Sequence, residues 1–282
     1  LKYNSQPSFI NRIENNVTAL CHAVNKKNIE IIKRLLSVPG IDPSITNDSN
    51  GDILLMALRT LDVKVLDAII NFFENSDSQF QFSLYFYHNY RFILLNSNNN
   101  DNKWEIIRRL AKAKSFDINI TSVNESRTIL NFACLYNKID IVKDLLKLDN
   151  IDVNIYDERT CVNPLLLSFE LKNIEIAKLI INNPKTNINM INSLNESALV
   201  IAVKHDQQEL VEMILNDKRF DAKESKLDYA FIYSKKEISK RLYSLSCLDV
   251  NQSYYIFKND HEQKINALKH SVNINDVDKI DL

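Results

Sequence analysis

Apolar residues recur along this chain at helical spacing, in short runs that come in pairs. In the stretch beginning at Thr128, Leu130, Ala133 and Cys134 fall on one helical face, and Thr128 is placed to cap the helix through its hydroxyl. After a break at Asn137-Lys138, Ile139, Ile141, Val142, Leu145 and Leu146 mark a second amphipathic helix. A polar loop, Asn150-Ile151-Asp152-Val153-Asn154, then leads to the next pair. Helices of about two turns are marginal alone in water, so each must pack against its neighbours.

The pair repeats. Its second run carries a polar, mostly acidic residue at Glu30, Lys64, Glu105, Asp140, Glu175, Glu209 and Glu237, with successive spacings of 34, 41, 35, 35, 34 and 28 residues. A period of this length marks a stacked-repeat architecture, in which no unit buries its own apolar face. The expected fold is an all-α solenoid of about seven helix-turn-helix units, read as a single domain over 1–282, with clear repeats over about 8–251. The long spacing before Glu105 is absorbed by a polar insertion at about 96–102. Ahead of it, the aromatic-rich stretch 80–92 reads as the filling of a degenerate repeat; its alternation also fits a strand, and its rings an interaction patch. The tail 252–282 reads as a degenerate C-terminal cap.

The first-run phrase Thr18-Ala19-Leu20-Cys21-His22-Ala23 and the second-run phrase Asp140-Ile141-Val142-Lys143-Asp144-Leu145-Leu146 resemble the ankyrin repeat family. Asn163-Pro164-Leu165 keeps the family's Pro and Leu, Ser197-Ala198-Leu199 its Leu, and Asp152-Val153-Asn154 its loop. The chain departs from the family between the two helices, where the usual Gly-His is replaced by Lys27-Asn28, Asn137-Lys138, Lys172-Asn173 and Asp206-Gln207. If the first residue of each pair is left-handed, Asn137 and Asp206 tolerate the conformation better than Lys27 and Lys172. A divergent, less stable array follows.

Composition narrows the function. Lys+Arg 35 against Asp+Glu 36 gives a net charge of -1, which lacks the positive field that nucleic acid or a polybasic membrane contact requires. No window approaches the roughly 20 apolar residues of a membrane span, so no membrane insertion is expected. Four scattered cysteines read as reduced thiols of an intracellular, cytoplasmic protein. The abundance of asparagine reads as coding bias without functional content. Two glycines in the whole chain leave no phosphate-cradling loop. Adjacent Cys21 and His22 point about 100° apart on a helix, so they do not make an activated nucleophile. No histidine shows metal-ligand spacing, and Asp48-Ser49-Asn50-Gly51-Asp52 lacks a full calcium-loop ligand series. No catalytic residue, metal, cofactor, small-molecule substrate or nucleic acid is expected, and the chain is read as a non-enzyme.

The resemblance implies a scaffold that binds a protein partner on its concave face, made of inter-repeat loop tips and exposed first-helix positions. Mapped onto this sequence, that surface includes Arg127, Tyr136, Arg159, Leu171, Leu194, Glu196, His205 and Tyr233. Tyr136, Leu171 and Tyr233 are large groups expected to face solvent there. The alternative reading is the regulatory or targeting arm of a longer chain whose catalytic domain lies outside this sequence.

Overall fold

The computed structural model describes residues 7–14, 17–45, 53–76, 102–114, 116–121 and 127–227, and beyond these 230, 233, 234, 238, 241 and 242. The aromatic stretch 80–92, most of the insertion 96–102, the segment 48–52 and the cap 252–282 lie outside the described residues. The chain divides into two compact units, Leu1–Asn124 and Glu125–Leu282.

The first unit holds α1 (Pro7–Ile10), α2 (Ala19–Asn25), α3 (Ile29–Leu36), α4 (Ile53–Arg59), α5 (Val63–Asn75) and α6 (Asn102–Ala111). The second holds α7 (Ile129–Leu135), α8 (Ile139–Leu145), α9 (Pro164–Glu170), α10 (Ile174–Ile181), α11 (Ala198–Lys204) and α12 (Gln208–Leu215). Within each unit the helices pack as hairpins, α2 on α3, α4 on α5, α7 on α8, α9 on α10 and α11 on α12. First helices then stack on first helices and second on second, as with α7, α9 and α11. The described elements are helices, with single isolated bridges at Glu14–Val17 and Ile191–Ser197 in place of strands.

Side-chain caps close the N-termini of most of the short helices. Thr128 accepts from the Asn131 amide at 3.3 Å, while the Asn131 side chain accepts from the Thr128 amide at 3.0 Å, a reciprocal capping box. Thr18, Asn163 and Ser197 cap α2, α9 and α11, and Asn28, Asp62 and Asn173 cap α3, α5 and α10. The turn between the two helices is left-handed at Lys27, Asn137, Lys172 and Asp206, with φ of 54°, 52°, 56° and 57°. There the Lys172 amide donates to the Phe169 carbonyl and the Asn173 amide to the Ser168 carbonyl, and the same pair of bonds recurs at the other three turns. The non-glycine residues therefore hold the conformation expected of them, with a Cβ in it each time.

Asparagines join one repeat to the next. Asn154 donates to the Lys185 carbonyl (2.8 Å) and accepts from the Asn187 amide (2.7 Å). Asn189 does the same with Arg219 and Asp221, and Asn11 with Gly40 and Asp42. Arg219 adds a second tie, donating to the carbonyls of Ile181 (2.6 Å), Asn183 (2.9 Å) and Thr186 (3.1 Å) at the end of α10 and the turn beyond it. Asp217 holds that guanidinium in place through bonds at 2.9 and 2.6 Å. In return, the hydrogen bond from Arg219 holds the Asp217 carboxyl below its ordinary value. The acids of the second helices also form exposed ion pairs between repeats, Lys143 with Glu175 at 3.0 Å and Lys178 with Glu209. Such pairs contribute little each.

Two outcomes follow. Lys172→Gly relieves the left-handed Cβ and raises stability by about 1 kcal/mol, read as a higher urea midpoint at unchanged slope. Because the Asp217 carboxyl is lowered in the fold, its contribution is present above the unfolded carboxylate value of about 3.9 and is lost as pH falls toward the lowered folded value. Asp217→Asn therefore unfolds at lower urea than the parent at pH 7, and the two midpoints converge on acidification.

Candidate functional site

The first helices of the second unit end in a row. Tyr136, Leu171 and His205 are the residues that close α7, α9 and α11, one per repeat, and all three are exposed. The helices that carry them pack side by side, which spaces the row at about 8–10 Å per step. Tyr136 and Leu171 are each 46% exposed, and Leu194, on the turn between Asn192 and Glu196, is 70% exposed. Tyr136 stacks on Phe132 with ring centroids 6.5 Å apart, which fixes the direction of an exposed ring. Partial burial, followed by the charges of Lys172 and Lys204, lowers the His205 pKa, with Glu196 opposing. The imidazole is neutral near neutral pH and continues the uncharged row.

The loop tips are stiffened from within. The Asp157 carboxylate accepts from the Arg159 amide at 2.9 Å, and its amide bonds to the Val162 carbonyl at 3.1 Å. In the next repeat, Asn192 accepts from the amides of Leu194 (3.0 Å) and Glu196 (2.9 Å). The Ser193 amide donates to the Thr160 carbonyl at 2.9 Å, tying one tip to the other. Exposed Arg159 and Leu194 thus ride on ordered turns.

Three of the residues expected on this surface are engaged inside the fold. Arg127 is half-buried and pairs with the buried Asp157 at 3.3 Å. Glu196 is half-buried and pairs with Lys204, which in turn lies over the Tyr233 ring at 4.3 Å from its centroid. Tyr233, expected to face solvent, is only half-exposed, with Lys204 over its ring. The sequence reading missed Lys204, Asn192 and Glu170. Burial raises the Glu170 carboxyl above its ordinary range, with the hydrogen bond to Asn192 opposing and Glu196 adding repulsion. Spacing carries no signal for such a cluster, because its members lie on different repeats.

Cys134 is fully buried, and burial pushes its thiol pKa far up, so it stays protonated. Cys21 is buried while its neighbour His22 is exposed, so the two occupy different faces of α2. Among the described residues no group of three or more His, Cys, Asp or Glu side chains is placed to hold a metal ion, and no helix is long and apolar enough to cross a membrane.

Leu171→Ser and Leu194→Ser each change stability by less than about 0.5 kcal/mol, whereas Phe169→Ala, at a fully buried position, costs about 3–5 kcal/mol, all read from urea midpoints.

Known proteins supply the same architecture. Residues 15–48 and 125–155 match family models described as ankyrin repeats. The crystal structure of the ankyrin repeat domain of Bcl-3, described as a unique member of the IkappaB protein family, aligns with 82% of this chain and 100% of that chain, at 16% identity and a TM-score of 0.55. The crystal structure of EF0377, an ankyrin repeat protein, aligns with 83% of this chain and 96% of that chain, at 18% identity and a TM-score of 0.36, too low to carry weight. A comparison with curated proteins finds no match. The two matched segments, the period and the stacked helix hairpins agree: residues 15–48 and 125–155 are ankyrin repeats, and the chain has the fold of an all-α ankyrin-repeat solenoid.

Proposed function

We propose that this chain is a non-catalytic module that binds a protein partner across the face formed by its first helices and loop tips. Ankyrin repeats are in general protein–protein interaction modules. The observation that carries the reading here is the exposed row in the second unit: Tyr136, Leu171 and the neutral His205, flanked by Leu194 and Arg159. Large apolar side chains on rigid supports lose little entropy on binding, and Tyr and Arg are types that concentrate interface energy. The internally paired Arg127, Glu196 and Tyr233 support that face instead of forming its contact points. Nearly balanced charge argues against nucleic acid. Unpaired thiols at Cys21, Cys134 and Cys161 support an intracellular setting.

The test compares the intact chain with a variant carrying Tyr136→Ser, Leu171→Ser and Leu194→Ser in crosslinking capture from source cells, with circular dichroism on both. A protein retained by the intact chain and bound at least tenfold more weakly by the folded variant is the expected result. Equal retention moves the contact off this row, and absence of any saturable partner rejects the binding module in favour of a tether.

A further inference from the structure

The first helix pair has the wrong surface for the end of a stack. Ile31, on α3, is 46% exposed, while its counterparts Val65, Ile106, Ile141, Ile176, Leu210 and Ile238 are at most 4% exposed. One turn later Leu35 is half-exposed, where Ile69, Leu110, Leu145, Ile180, Ile214 and Leu242 are at most 1% exposed. On α2, Ala19 and His22 are exposed at positions where Ile53 and Met56, or Ile129 and Phe132, are buried. In the stacked pairs within a unit, that side of the second helix lies against the repeat before it, as α5 on α3 and α10 on α8. Here the same side opens on a cleft of about 890 Å3, whose walls include the apolar Phe9, Ile31 and Leu35 and the charged Arg12, Glu14 and Lys26. A terminal repeat needs a polar outer face to stay soluble. This one leaves Ile31 exposed and Leu35 half-exposed.

A second observation says what covers it. Asn154 and Asn189 each close the loop of one repeat by bridging to the backbone of the next. Asn11 makes the same two bonds, at 2.9 Å each, to Gly40 and Asp42. The residue before it, Ile10, is apolar like Val153 and Ile188, though it ends α1 and is half-buried where they are fully buried. Asn11 therefore makes the bonds with which Asn154 and Asn189 close a repeat. Glu30 agrees: its counterparts Glu175 and Glu209 pair with Lys143 and Lys178 of the repeat before, and Glu30 has no such lysine among the described residues.

We infer that the open side of α2 and α3 is a repeat-stacking face that receives one more helical hairpin of the same kind, lying N-terminal to Ile10-Asn11 in the same polypeptide. The incoming hairpin presents apolar side chains to Ile31 and Leu35 and a basic residue to Glu30.

The test adds such a hairpin to the full chain. The chain's own segment 128–154 is grafted so that Val153-Asn154 replace Ile10-Asn11, and urea unfolding is followed with and without Ile31→Asn. The extended chain is expected to unfold at higher urea with a larger slope. Ile31→Asn is expected to lower its midpoint clearly while leaving that of the ungrafted chain within error. Labelling of an Ile31→Cys thiol is expected to slow at least tenfold on extension. A graft that adds no slope and leaves the thiol at 31 reactive overturns the inference, as does a grafted hairpin that stays unprotected in hydrogen exchange. Sedimentation of the ungrafted chain adds one further result: a dimer abolished by Ile31→Asn assigns the face to a second copy and overturns the arrangement within one polypeptide.

Discussion

Every helix pair here depends on burial that it cannot supply for itself. First helices of seven residues and second helices mostly of seven or eight are too short to persist in water, and hydrogen bonding within them does not offset their ordering. What holds them is the apolar side of each second helix, the register of Ile176 and Ile180 or of Leu210 and Ile214, closed against its neighbour. Local chemistry then fixes direction. Threonine, serine and asparagine caps start many of the helices, left-handed turns at Lys27, Leu61, Asn137, Lys172 and Asp206 end the first of each pair, and bridging asparagines set the step to the next repeat.

Much of this is written in single residues. Thr128 reads as a cap and is one; Asn137 and Lys172 stand where a glycine is usual and are left-handed; the apolar run Ile139 to Leu146 is a two-turn helix. Contacts between repeats were not legible. Asn154 reaches Lys185 and Arg219 reaches Ile181, more than thirty residues along the chain, and no local pattern encodes either reach. The asparagine content illustrates the limit. As composition it carried no meaning, yet Asn11, Asn154 and Asn189 join repeats and Asn28, Asn163 and Asn173 cap helices.

The surface shows the same division. Exposure of Tyr136, Leu171 and Leu194 follows from their register, at the end of a first helix or the tip of a loop. Whether a charged neighbour folds back over a side chain does not follow from register, which is why Tyr233 under Lys204 is less exposed than expected. The fold thus spends its buried positions on stacking and leaves a narrow row of side chains exposed. Identity of a partner resides in that row, since the scaffold itself is common to many proteins.

Native-state hydrogen exchange tests the stacking account most directly. If each hairpin is held by its neighbours, amides of α9, α10 and α11, covered on both sides, exchange only through high-energy opening, and those of α2 and α3, open on one side, exchange through a lower-energy opening. Equal protection of α2–α3 and α9–α11 under the same conditions would contradict it, showing that the hairpins are held by something other than the repeat beside them.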